Sequence, residues 1–91
     1  MTKCLKILIR TKDKENFLKN IIQKYSKKYE LEGFAQIIDD DIKIIACGQK
    51  DNVDNFVDII HKESIQLNIK NVEIEPFIKD KDYRGIFRIL E

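Results

Sequence analysis

Ninety-one residues suffice for one domain, near the lower size limit of an independent hydrophobic core. At 43% hydrophobic and 36% charged, the chain is too apolar for disorder and too polar for a membrane protein. No apolar run approaches the roughly 20 residues of a bilayer span, and a formal charge of +1 selects neither nucleic acid nor an anionic membrane as partner.

Leu5, Ile7 and Ile9 alternate with polar residues up to Arg10, the period of a strand with one buried face. Asp13 is placed to cap a helix with Glu15 in its first turn. Phe17, Leu18, Ile21, Ile22, Tyr25 and Tyr29 then recur at helical spacing, with Lys19, Lys24, Lys27 and Lys28 off the stripe. Gly33 to Ile38 and Ile42 to Cys47 read as a hairpin turning at Asp39-Asp40-Asp41, and Gly48 ends its second strand. Asp51 is the expected cap of a second helix, whose apolar face is Val53, Phe56, Val57 and Ile60. A loop from Ser64 to Asn68 leads to a strand with Val72 and Ile74 inward. Pro76 and Lys79-Asp80-Lys81-Asp82 break the pattern, and Gly85 to Leu90 forms a last short strand. The order predicts a single α/β (α+β) two-layer sandwich over residues 1–91, of the ferredoxin-like βαββαβ type with a short extra C-terminal strand.

From Leu31 onward the chain resembles the acylphosphatases. Leu31-Glu32-Gly33-Phe34-Ala35 matches that family's Leu-x-Gly-x-Val, and Ala46-Cys47-Gly48 its Ala-x-Gly. Val53 with Phe56 and Ile60 follows the pattern of its second helix, and Phe87-Arg88-Ile89 ends the chain as Phe-x-Ile does. The resemblance implies a metal-free, cofactor-free hydrolase that cleaves a carboxyl–phosphate anhydride. It implies a backbone phosphate cradle opened by glycines, an arginine on the phosphoryl oxygens, and an asparagine that holds the attacking water. Counted back from Gly33, the glycine-rich signature falls on residues 11–19. No glycine stands there, Asp13 and Glu15 lie within it, and Lys19 takes the arginine position. The asparagine position is Ile37, which cannot hold water by hydrogen bonding, and its neighbour Gln36 points to the other face by period two. Efficient catalysis is therefore not expected, and no catalytic residue is assigned. A small-anion or protein-binding role is favoured over two alternatives. One is an active acylphosphatase using Lys19 and either Gln36 or a backbone group; the other is a self-associating domain with Leu8, Phe34 and Ile45 exposed on the open sheet face.

Arg10, Lys12, Lys14 and Lys19 form the candidate site for phosphate or an acyl phosphate. His61 reads as a cation near the end of the second helix, and Asp39 to Asp41 as a solvated turn rather than a metal site. The first and third strands carry no aromatic residues, so no nucleic acid is expected on the sheet, and a protein partner is the candidate there. With no signal-peptide pattern and few cysteines, the expected location is cytoplasmic. Strand parity places Cys4 near Cys47. Free thiols are expected in a reducing cytosol, with a disulfide available on oxidation.

Overall fold

The computed structural model describes residues 1–79 and 81–90; Asp80, one of the expected pattern-breaking charges, lies outside the described residues. Strand β1 (Thr2–Arg10) leads to helix α1 over residues 14–28, strands β2 (Glu32–Ile38) and β3 (Asp41–Gln49), helix α2 (Lys50–Gln66), β4 (Asn71–Pro76) and β5 (Phe87–Leu90). The five strands form one sheet in the order β4-β1-β3-β2-β5. All neighbours are antiparallel except β2 and β5, which run parallel. This is the βαββαβ sandwich with one added strand that the residue pattern predicts.

Period two explains which face is covered. Leu5, Ile7 and Ile9 pack with Ala35, Ile42, Ile44 and Ala46 beneath Phe17, Leu18 and Ile22 of α1 and Val53, Phe56 and Ile60 of α2. These residues form the main core, and most are fully buried. Pro76 ends β4, an edge strand, where the missing N–H costs no central ladder bond.

The helices depart from expectation at their ends. Gln49, not Asp51, occupies the cap position of α2 and makes no side-chain bond; Asp51 lies in the first turn, where its charge still suits the helix dipole. The expected loop at Ser64 is helix as far as Gln66, which leaves His61 in the helix body rather than at its end. Both helices close with left-handed residues that are not glycine, Glu30 and Asn68. In each case the next amide reaches back five residues, Leu31 to Ser26 O and Ile69 to Ser64 O, which satisfies the terminal carbonyls. Without a glycine to mark it, the end of α2 was invisible to sequence reading. Helix α1 also contains a π-helical stretch, Leu18–Gln23.

The other sheet face is less open than its sequence suggests. Residues 77–79 and 81–86 fold across it, burying Tyr83 against Ile45 and Cys47, with Cys4, Phe34 and Phe77 packed alongside. Ile45, expected in an exposed patch with Leu8 and Phe34, is 1% exposed. Cys4 and Cys47 are directly opposed across β1 and β3 and joined by a disulfide, which corrects the expectation of free thiols. The carbonyl of Cys4 accepts from Phe77 on the β4 side, so its pairing with Cys47 is of the non-hydrogen-bonded kind, in which Cα atoms approach most closely. Their Cα separation is 4.1 Å.

Glu32 fastens this covering segment to β2. Its carboxylate accepts from Lys79 Nζ at 2.5 Å and from the Gly85 amide at 2.8 Å. The bond from Lys79, and then that from Gly85, lower its pKa from the ordinary 4.5. A depressed carboxylate stabilises the fold above its unfolded pKa and loses that contribution as pH falls through the folded value. Amide exchange in residues 81–86 is thus expected to accelerate as pH drops below about 4.5, after correction for intrinsic rates. Glu32→Gln should give the fast, pH-insensitive limit throughout.

Candidate functional site

The end of β1, the start of α1, the β2–β3 turn and the α2–β4 loop meet around a cleft of about 690 Å³. Arg10, Lys12 and Lys14 all line it, joined by Lys70 from the α2–β4 loop. Lys70 is far from the others in sequence, so no local motif could have signalled it. Lys19 does not line this cleft. It lies in a neighbouring depression of about 460 Å³ with Glu15, Gln23 and Ile37. The four cations grouped by sequence therefore divide three and one.

The second depression brings together the two positions that the aligned pattern gives to arginine and asparagine, Lys19 and Ile37. Residues of α1 and of β2 line this one depression together. Lys19 is exposed and lies in the π-helical stretch; Ile37 is half-buried against the main core. Gln36 is on the opposite sheet face, paired with Lys43 and Leu90, and does not line the depression. The amide that could replace asparagine by a one-residue slip is thus turned away.

The helix start between the two depressions supplies its own anion. Asp13 Oδ1 accepts the Asn16 amide at 3.3 Å, as its position predicted. Arg10 is also committed: its Nε lies 3.1 Å from Asp41 Oδ1, and that contact raises the guanidinium pKa further. Asp40 adds another carboxylate to the wall. Lys12, Lys14 and Lys70 remain without an ion-pair partner among the described residues.

The family model described as Acylphosphatase matches residues 14–89. The chain belongs to the acylphosphatase family. The match begins at the first residue of α1, within the stretch 11–19 that corresponds to the phosphate signature and past Thr11, Lys12 and Asp13. Among solved structures, the acylphosphatase from Coxiella burnetii is 21% identical with a TM-score of 0.81, covering 98% of this chain and 93% of that one. The acylphosphatase from Bacillus subtilis is 17% identical with a TM-score of 0.81, and each chain is covered completely. Full-length HypF in a phosphate- and nucleotide-bound form is 16% identical, TM-score 0.78; it covers all of this chain, which spans 12% of HypF. No curated protein sequence matches the chain. At these identities the solved structures speak for the acylphosphatase fold, two helices on a five-stranded mixed sheet.

Proposed function

We propose that this protein keeps the acylphosphatase fold without efficient acylphosphatase catalysis and retains a weak small-anion site at the Lys12–Lys14–Lys70 cleft. The observation that carries this reading is the bond from the Asn16 amide to Asp13 Oδ1. In the cradle the family pattern implies, amides at this loop receive a phosphate. Here a carboxylate of the chain accepts one of them, and a second charge, Glu15, lies one depression away beside Lys19. Two unit charges about 4 Å apart repel by about 1 kcal/mol in water and more near protein, so an incoming phosphate meets opposition where it needs donors.

Two further groups weaken the chemistry. Lys19 presents a point charge rather than a planar fork, so it cannot grip two phosphoryl oxygens in fixed geometry. Ile37 offers nothing to hold an attacking water in line with phosphorus. Loss of one preorganised polar group at a reacting centre typically costs ~10²–10³ in rate, and here three features fail together.

What remains is electrostatic attraction by flexible lysines, opposed by Asp13 and Asp40. Inorganic phosphate is expected to shift the amides of residues 11–17 and 67–70 with a Kd above about 1 mM. Asp13→Asn keeps the helix cap while removing its charge, and should tighten phosphate about fivefold. The test is an amide-shift titration of both proteins. A natural-chain Kd below about 0.1 mM, or no tightening in Asp13→Asn, contradicts the proposed site.

A further inference from the structure

The sheet face turned away from the helices carries a second concave site that the acylphosphatase reading does not use. Phe34 on β2 and Arg88 on β5 are register partners and point away from the core, between strand neighbours that face it. The segment from Lys81 to Arg84 walls this groove, whose volume is about 350 Å³. The ring of Tyr83 lies 6.3 Å from that of Phe34, tilted by 53°. Lys81 Nζ stands 5.8 and 5.6 Å from the two ring centroids, over an aromatic pair that a cation already finds attractive.

The charges around the groove do not cancel. Lys81, Arg84 and Arg88 line it and have no carboxylate partner among the described residues. Among the described residues, Asp82 is the one acid lining it, and its Oδ1 already accepts the Arg84 amide at 2.8 Å. Nearby Glu32 is engaged by Lys79 and Gly85. Among the described lining residues, three cations against one anion give +2, which matches the −1.5 to −2 or so carried by a phosphate monoester at neutral pH. Two arginines add planar forks suited to phosphate oxygens. The half-buried ring of Phe34, backed by the buried Tyr83, gives a flat apolar ring somewhere to stack.

We infer that this groove binds a small phosphorylated aromatic compound, of which a nucleoside monophosphate is the type: the base lies against Phe34, and the phosphate against Arg84 and Arg88. Lys81, on an exposed side chain, moves off the rings to the phosphate as the base enters. A nucleic-acid strand fits less well. Across the sheet, β4 exposes Glu73, and Glu75 is taken up by Lys6, so a polyanion tracking over this face would meet the Glu73 carboxylate at its far side.

The test is an amide-shift titration of the whole chain with adenosine monophosphate, with adenosine, inorganic phosphate and a single-stranded oligothymidylate as separate arms. The monophosphate should shift the amides of Phe34, Tyr83 and Arg88 saturably, at least about tenfold more tightly than adenosine or phosphate shifts them. Arg88→Gln, at an exposed position, should weaken it about tenfold without changing phosphate shifts at Lys12 and Lys14. Phe34→Leu should weaken the monophosphate while leaving phosphate alone unaffected at the groove. The proposal is overturned by any of three results: no saturable groove shifts up to about 10 mM monophosphate, equal binding of phosphate alone, or tighter binding of the oligonucleotide per nucleotide. Thermal melts of both variants establish that they fold.

Discussion

Replacing Gly33 by alanine is expected to cost about 4 kcal/mol or more, enough to leave little folded protein under ordinary conditions. Gly33 sits in β2 with φ of +132°, a conformation that side chains rarely adopt. A Cβ there would lie 1.9 Å from the Ile45 carbonyl oxygen and 2.8 Å from its carbon. Both atoms belong to the backbone of β3, which is hydrogen-bonded on its other side to β1, so the neighbour cannot withdraw without breaking the sheet. The Gly33 amide meanwhile donates to Ile86 O, where the segment covering the open face returns to β5. Gly85 provides the contrast: its φ is +67°, but nothing lies within 4 Å of an added Cβ. Gly85→Ala should therefore cost about 1 kcal/mol, from backbone strain alone. Urea unfolding of both variants decides the matter. A Gly33→Ala protein within about 1 kcal/mol of the natural chain contradicts the geometry.

Reduction of the Cys4–Cys47 bond is expected to lower stability by about 3–4 kcal/mol, since it releases a loop of 43 residues in the unfolded chain. For a domain of this size that corresponds to a fall in Tm of roughly 12–30 °C. The bond joins β1 to β3 at the end of the sheet nearest Phe77 and Tyr83, so its loss also loosens the small core on the open face. The chain has two cysteines, and a reductant therefore acts on this bond and nothing else. Urea midpoints measured with and without dithiothreitol provide the check, with the Cys4→Ala/Cys47→Ala double variant as control. An unchanged midpoint would mean that the bond adds nothing to the strand pairing already present.

Much of this architecture is written in short-range pattern. Leu5, Ile7 and Ile9 fix which face of β1 is inward, and the stripe from Phe17 to Tyr29 fixes the inward side of α1. Asp13 declares the helix start because a short acceptor side chain ahead of a helix has one obvious use. The Leu31-Glu32-Gly33 motif marks β2, although its physical reason, a close approach to the Ile45 carbonyl, is visible only across the sheet. What escaped sequence reading depends on distant partners or leaves no compositional trace. The π-helical stretch at Leu18–Gln23 keeps the apolar spacing of an ordinary helix. Ile45 looks exposed until Tyr83, 38 positions later, folds over it. Lys70 joins Lys12 and Lys14 because α2 ends near the β1–α1 loop. Lys19, sequence neighbour of the same cluster, is carried round α1 into the other depression. Parity brought Cys4 and Cys47 close; that they are bonded rests on their direct opposition in a non-hydrogen-bonded pair.

The candidate site was legible in the same uneven way. Lys19 and Ile37, eighteen residues apart, line one depression, so counting back from Gly33 picked two positions that the fold brings together. The capture of Asn16 N–H by Asp13 follows from simple capping chemistry, and it carries the functional reading further than any single replacement.

The most direct measurement is the metal-free hydrolysis of a simple acyl phosphate such as benzoyl phosphate by the natural chain and by the Lys19→Arg/Ile37→Asn variant, each matched against buffer. A protein that keeps the fold but has lost the chemistry should turn over substrate no faster than background. The double change, with Asp13 and Glu15 still in place, should restore at most a small fraction of the ~10²–10³ that each missing group is worth. Clear saturable turnover by the natural chain, diminished by Lys19→Ala, would contradict the account and make this an enzyme working through an altered site.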